Sequence, residues 1–186
     1  MSILRQTRPC WVEISTRAFE HNCSLLAKLA TPHVDLLAIV KANAYGHSLA
    51  LCGPAAVRAG INWLGVTSVE EGIETRRLCP DARILVISGV HPNQGEDVVR
   101  NKLTAVVWDS WQFDLLEEAA RSLGVRSISV HLEIDTGMNR QGVQPDGLAH
   151  LLTRFRRDFP LRFEGVMTHL FAADEADGHV TEDQLA

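Results

Sequence analysis

Residues 36–47 read L-L-A-I-V-K-A-N-A-Y-G-H. Leu36 to Val40 is the longest strictly apolar run in the chain. A short aliphatic run bounded by polar residues fits a strand buried on both faces, as in a parallel sheet. Alternation along the strand puts Leu37, Ile39 and Lys41 on one face and Leu36, Ala38 and Val40 on the other. A lysine aimed into a packed interior is costly unless it is paired or neutral. Burial lowers a lysine's pKa, which suits Schiff-base chemistry. A lone lysine at a strand end can also snorkel to solvent, so the strand by itself leaves both uses open.

The same pattern recurs outward from this segment. Further strands are expected at Trp63–Thr67, Ile84–Ser88, Ala105–Asp109, Ile128–Glu133 and Phe163–His169, where alternation gives Phe163, Gly165, Met167 and His169 the same inward parity. Amphipathic stretches between them predict helices over Ser48–Ala59, Val69–Leu78, Gly95–Asn101, Trp111–Ser122 and Pro145–Phe155. Gly60, Pro80, Gly124 and Pro160 punctuate the helix-to-strand turns. Ahead of this series, Trp11–Ser15 reads as a strand. A helix capped by Thr16 follows, with Phe19, Asn22, Cys23, Leu26 and Leu29 at helical spacing. Thr181 to Gln184 has the spacing of a capping box that opens a last helix. No Pro/Gly/Ser-rich linker divides the chain, which reads as one domain. Polar residues gather at the strand C-terminal ends: Lys41, Thr67, Ser88, Asp109, Glu133, Asp135 and His169. Both a doubly wound open sheet and a (β/α)8 barrel bind ligands there, so this pattern leaves the two architectures open.

Composition narrows the function classes. The chain has 186 residues, 46% hydrophobic and 22% charged, as in an ordinary globular protein. Formal net charge is −5. The basic runs go no further than Arg76–Arg77 and Arg154–Arg157, which argues against a nucleic-acid surface. No apolar run approaches membrane-spanning length, and the N-terminus shows no secretory h-region. The four cysteines form no C-x-x-C and read as free thiols of a cytoplasmic protein. No metal site is expected.

Three motifs carry chemistry. Val40 to His47, V-K-A-N-A-Y-G-H, resembles the cofactor-lysine motif of the alanine racemases, fold-type III pyridoxal-phosphate enzymes, with Ser48 where the family usually has glycine. Asp135 to Gly142, D-T-G-M-N-R-Q-G, resembles their D-T-G-M-x-R-x-G signature. Gly165 to Glu175, G-V-M-T-H-L-F-A-A-D-E, is similar to their M-T-H-F-A-x-A-D-E string, with Leu170–Phe171 as a local variation. The opening R-P-C-W-V-E-I-S is also similar to the family's N-terminus. The resemblance runs along essentially the whole chain and favours the barrel: an incomplete (β/α)8 TIM-type barrel of about six βα units, preceded by one strand and helix.

The resemblance implies that Lys41 forms an aldimine with pyridoxal 5'-phosphate and handles the α-proton on one face. It implies that Tyr45 hydrogen-bonds the cofactor phosphate and that His169 lies beside the cofactor ring. Arg140 is then the substrate-carboxylate residue, a role suited to a planar fork of donors, with Met138 close by. Many family members carry a carbamylated lysine where this chain has Glu133. A glutamate supplies negative charge directly, so Glu133 is expected to hold Arg140 by charge-assisted hydrogen bonding, without carbon dioxide. The expected activity is interconversion of L- and D-alanine, the supply of D-alanine for peptidoglycan, by a homodimeric full-length enzyme. Tyr45 is the single tyrosine, so the family's second, tyrosine base is not expected within this chain. Residues 1–186 are accordingly read as a partial barrel domain without the C-terminal β-domain, inactive alone. A broad-specificity amino-acid racemase, a fold-type III decarboxylase and a non-catalytic pyridoxal-phosphate-binding protein are the alternatives.

Overall fold

The computed structural model describes residues 9–30, 33–155 and 160–186. Arg156 and Arg157 of the basic run, and the first eight residues, lie outside them. Six parallel strands form one sheet in sequential order: β1 (Leu37–Ile39), β2 (Trp63–Val66), β3 (Arg83–Val86), β4 (Thr104–Val107), β5 (Ile128–Glu133) and β6 (Leu161–Met167). Helix α1 (Thr16–Leu29) precedes them. A short turn, α2 (Lys41–Tyr45), and α3 (Leu49–Arg58) follow β1. Then α4 (Val69–Leu78), α5 (Gly95–Arg100), α6 (Ser110–Ser122) and α7 (Pro145–Leu152) connect successive strands, and α8 (His179–Leu185) follows β6.

Local chemistry sets several of these boundaries. The Ser68 hydroxyl accepts the Glu71 N–H to open α4, and Asp109 with Gln112 forms a capping box at α6. Pro145 starts α7, where its missing N–H is not needed.

Sequential strand order decides between the two architectures. A doubly wound sheet reverses its order and covers both faces with helices. Here the outward residues of the strands, among them Leu64, Val66, Ile84, Val86, Ala105, Val107, Val130 and Leu132, form a single core. Cys52 and Ala56 of α3, Val98 of α5, Phe113 and Leu116 of α6 and Leu151 of α7 pack onto it. The opposite face lines a cavity. Residues of both edge strands, β1 and β6, share that cavity's wall, so the sheet is curled.

Four sequence expectations change. Trp11–Ser15 forms no strand: it pairs with none of the described residues, and Trp11 and Val12 are exposed. The Ser15 hydroxyl, one residue before Thr16, caps α1 by accepting the Ala18 N–H at 3.2 Å. The Thr181 capping box does not form, because α8 begins two residues earlier, after Gly178, and the Thr181 hydroxyl is buried without a partner. Phe163 does not point inward. A bulge in the β5–β6 pairing inserts Glu164 between the pairs Val130–Phe163 and His131–Gly165. The extra residue resets the alternation, so Phe163 stacks outward on Phe155 at 5.2 Å between ring centroids. The residues after the bulge, Met167 and His169, face the cavity as the alternation from Gly165 requires.

Phe113 is fully buried and its ring meets Phe155 at 5.3 Å. Phe113→Ala should lose about 3–5 kcal/mol of unfolding free energy, the usual cost of an aromatic-sized cavity, measured by chemical denaturation. A loss below about 1 kcal/mol would show that α6 does not anchor this core.

Candidate active site

The segment after β1 sets the site. Ala42, Asn43, Ala44 and Tyr45 all have φ between 49° and 54°, so four consecutive L-residues wind left-handed. Each such residue costs roughly 1–2 kcal/mol relative to a right-handed turn. Conformations this costly persist only where the surroundings enforce them. Within the segment, the Ala44 N–H donates to the Val40 carbonyl and the Ser48 N–H to the Asn43 carbonyl. The Asn43 side-chain oxygen accepts the Leu49 N–H at 2.7 Å, joining the turn to α3. From α4, the Glu71 carboxylate accepts the Ala42 N–H at 2.6 Å and the Thr67 N–H at 2.8 Å. One carboxylate therefore ties the chain after β1 to the chain after β2.

The turn brings Lys41 onto the wall of a cavity of about 490 Å3, within the usual range for small-molecule sites. Leu37, Ile39, Leu85, Ile87, Trp63 and Met167 give it apolar walls. Lys41, Tyr45, His131, Thr168 and His169 give it polar ones. The Lys41 Nζ lies 5.9 Å from the centroid of the Tyr45 ring. Tyr45 is 59% exposed, so its hydroxyl stays reachable at the rim. His169 lies on the same wall, following β6.

Glu133, Met138 and Arg140 do not line this cavity; they belong to the end of β5 and the loop after it. Glu133 is fully buried, and its carboxylate accepts a hydrogen bond from the Gln141 amide at 2.5 Å. The same Gln141 nitrogen donates to the Ile87 carbonyl at 2.9 Å, which fastens the loop to the end of β3. Burial pushes the Glu133 carboxyl above its ordinary value, against the Gln141 hydrogen bond and the nearby Arg140 charge. Arg140 itself is exposed, and Met138 is half-buried. The expected direct tie between Glu133 and Arg140 is thus an electrostatic one, with Gln141 as the hydrogen-bonding neighbour.

Asp135 shapes the loop that carries Arg140. Its carboxylate accepts N–H groups of Gly137 at 3.0 Å and Asn139 at 2.9 Å, and the Gln144 amide at 2.9 Å. These bonds, the Asn139 one foremost, hold the Asp135 carboxyl below its ordinary value. Gly142 closes the loop at φ +109°, where a Cβ would come within 2.6 Å of the Asp135 backbone nitrogen. Gln184 of α8 joins this loop to the next one: its amide donates to the Thr136 hydroxyl and the His169 carbonyl, and its oxygen accepts the Phe171 N–H.

Deeper along the inner face, Glu164 meets Arg83 at 2.9 Å and Arg162 at 2.7 Å. Burial alone would raise the Glu164 carboxyl, but the Arg83 charge, the Ser129 hydroxyl and the Arg162 charge outweigh it and keep it low. Burial holds His131 below its ordinary value although Glu164 lies 3.5 Å from its Nε2. Among the described residues, no cluster of His, Cys, Asp and Glu is arranged to hold a metal ion.

Sequence reasoning did not single out Glu71, Gln141 or Gln184. Glu71 had a signal, since Ser68-Val69-Glu70-Glu71 has capping-box spacing. That spacing predicts a bond to the cap residue's own N–H, whereas the carboxylate reaches one residue further back and across to another strand. Gln141 and Gln184 act only through the packing of separate loops, which local sequence does not show.

The sequence profile described as alanine racemase, N-terminal domain, matches residues 14–186. The alanine racemase of Symbiobacterium thermophilum is 41% identical over 178 residues, covering 96% of this chain and 47% of that protein. The alanine racemase of Bacillus anthracis with bound L-Ala-P superposes with a TM-score of 0.88 at 27% identity, over 98% of this chain and 47% of that one. The alanine racemase of Clostridium difficile 630 in complex with cycloserine gives a TM-score of 0.86 at 28% identity, over 97% of this chain and 50% of that one. This chain thus spans about half the length of these relatives.

Asp135→Asn should lower stability near neutral pH, by weakening the bonds to Gly137 and Asn139. The Asp135 carboxyl is depressed in the folded state, so its contribution is complete above the unfolded value of 3.8 and is lost as pH falls through the lower folded value. Thermal unfolding from pH 7 downward should show the gap between parent and variant hold until about pH 3.8 and close as pH falls through the lower folded value. A gap independent of pH would contradict this role.

Proposed function

The chain belongs to the alanine racemase N-terminal domain family, and on that footing we propose that it carries the lysine side of a pyridoxal-phosphate-dependent racemase acting on alanine. The observation that carries the proposal is the placement of the Lys41 amine on the wall of a cavity of about 490 Å3, with Tyr45 at the rim and His169 on the same wall. The donor set suits the cofactor: an amine for its aldehyde, a reachable phenol for its phosphate, and apolar and imidazole surface for its ring. When bound, pyridoxal phosphate supplies the electron sink that stabilises charge at the substrate's α-carbon.

This chain's residues do the rest. The Lys41 amine holds the cofactor and then takes or returns the α-proton on one face. The Tyr45 hydroxyl donates to the phosphate, and His169 flanks the ring. Arg140 binds the substrate carboxylate through its fork of donors. Glu133 keeps negative charge behind Arg140, and the Gln141 amide fixes where that charge sits. Met138, in the same loop, bounds the substrate position beside Arg140.

The architecture fits this reading. We take the six strands as six βα units of a (β/α)8 barrel, with residues 1–186 as one partial barrel domain and the edges β1 and β6 facing the positions of two further strands. The working enzyme is then a cytoplasmic homodimer. Among the described residues, no helix is long and apolar enough to cross a membrane.

The chain has three lysines, Lys28, Lys41 and Lys102, and two of them are exposed internal references. Incubation with pyridoxal phosphate, borohydride reduction and peptide mass mapping should place the label on Lys41 well ahead of Lys28 and Lys102. Lys41→Ala should remove it. Equal labelling of all three lysines would overturn the assignment.

A further inference from the structure

We propose that Glu71 is a positioning residue for Lys41, acting through the backbone of the left-handed turn. Nothing in the turn's composition favours its winding. Ala42, Ala44 and Tyr45 gain nothing from φ near +50°, and only Asn43 belongs to a type that visits this region readily. The segment therefore needs outside restraint. The bonds inside it, such as Ala44 N–H to the Val40 carbonyl, close the turn but tie it to nothing beyond β1. Asn43 links its far end to α3. Just before Lys41, the Val40 N–H is held by the Gly65 carbonyl of β2 at 2.8 Å; just after it, the restraint from outside the turn is the bond from the Ala42 N–H to Glu71 at 2.6 Å.

Glu71 is itself well fixed. It sits in the first turn of α4, its own N–H held by the Ser68 hydroxyl, and its second oxygen accepts the Thr67 N–H. The carboxylate thus spans the ends of two neighbouring strands and holds the residue directly after Lys41 at a set distance from β2. Charge-assisted bonds to backbone N–H groups are stronger than neutral ones. Releasing the Ala42 N–H lets residues 42–45 relax toward a right-handed turn. That swings the Lys41 Cα–Cβ bond away from the cavity wall. The positioning role rests on the reading of Lys41 as the cofactor lysine, whereas the restraint on the turn does not.

Glu71→Gln separates the two. The variant keeps side-chain length and one acceptor oxygen but turns the other contact into a donor facing a donor. Amide hydrogen exchange on the cofactor-free chain should speed up by about tenfold or more across residues 42–48, as expected for loss of a strong hydrogen bond, while the β5 and α6 peptides keep the parent rate. Borohydride-fixed labelling of Lys41 by pyridoxal phosphate should fall by a similar factor. Adding Ala42→Gly to the variant should restore much of the labelling, because glycine adopts the left-handed conformation without steric cost. That rescue would not follow if Glu71 merely capped α4.

Unchanged exchange at 42–48, or equal acceleration through the whole chain, would overturn the restraint. Faster exchange with undiminished Lys41 labelling would overturn the positioning role. Absence of selective Lys41 labelling in the parent chain would sink the functional reading, and the exchange data would still decide the restraint.

Discussion

Strict alternation of side chains along parallel strands is the constraint on which this molecule depends. Each strand must give one set of residues to the helices and the other to the cavity, and a slip of one position would exchange the two. On β1 the assignment puts Leu37 and Ile39 inside, and the turn that follows brings Lys41 to the same wall, with Val40 in the helix-facing core. On β5 it puts Val130 and Leu132 in that core, while His131 lines the cavity. The single irregularity between β5 and β6 shows how tightly this holds. One inserted residue, Glu164, turns Phe163 out to the aromatic stack with Phe155 and still delivers Met167 and His169 to the cavity.

The site is then assembled by bonds between neighbouring strand ends. Glu71 connects the ends of β1 and β2, Gln141 connects the loop after β5 to the end of β3, and Gln184 connects the loops after β5 and β6. Each is a side chain whose hydrogen bonds are shared between different segments. Such bridges suit loops that carry chemistry, because they fix the backbone without filling the cavity. They also explain how a costly left-handed turn and a buried carboxylate such as Glu133 are both sustained.

Much of the sheet was legible in the sequence because its strands are continuous aliphatic runs separated by Gly and Pro. The five helices expected between strands all form: α4 keeps both expected bounds, and no end of the others moves by more than three residues, the start of α6 being set by its Asp109 cap. Alternation pointed to the cavity side for Lys41, but β1 ends at Ile39 and it is the following turn that puts Lys41 on the wall. The placement of Phe163 was not readable, since a bulge leaves no local mark. Trp11–Ser15 has strand-like composition, but a strand exists only with a partner. Of the residues marked by motif resemblance, Lys41, Tyr45 and His169 share the cavity wall. Glu133 ends β5, and Met138 and Arg140 stand on the loop after it, which Gln141 and Gln184 tie to neighbouring strand ends. Family membership came from motif order and the whole-chain comparisons, and the strand order 1 to 6 resolved an architecture that composition left tied.

We propose that this fold presents the Lys41 amine to a cofactor in the inner cavity. A crystal structure of the chain grown with pyridoxal phosphate tests it most directly. Continuous density is expected from Lys41 Nζ to the cofactor, with its phosphate at Tyr45, its ring beside His169 and residues 42–45 still wound left-handed. Cofactor bound outside this cavity, or Lys41 turned to solvent with the cavity filled by water alone, would contradict it.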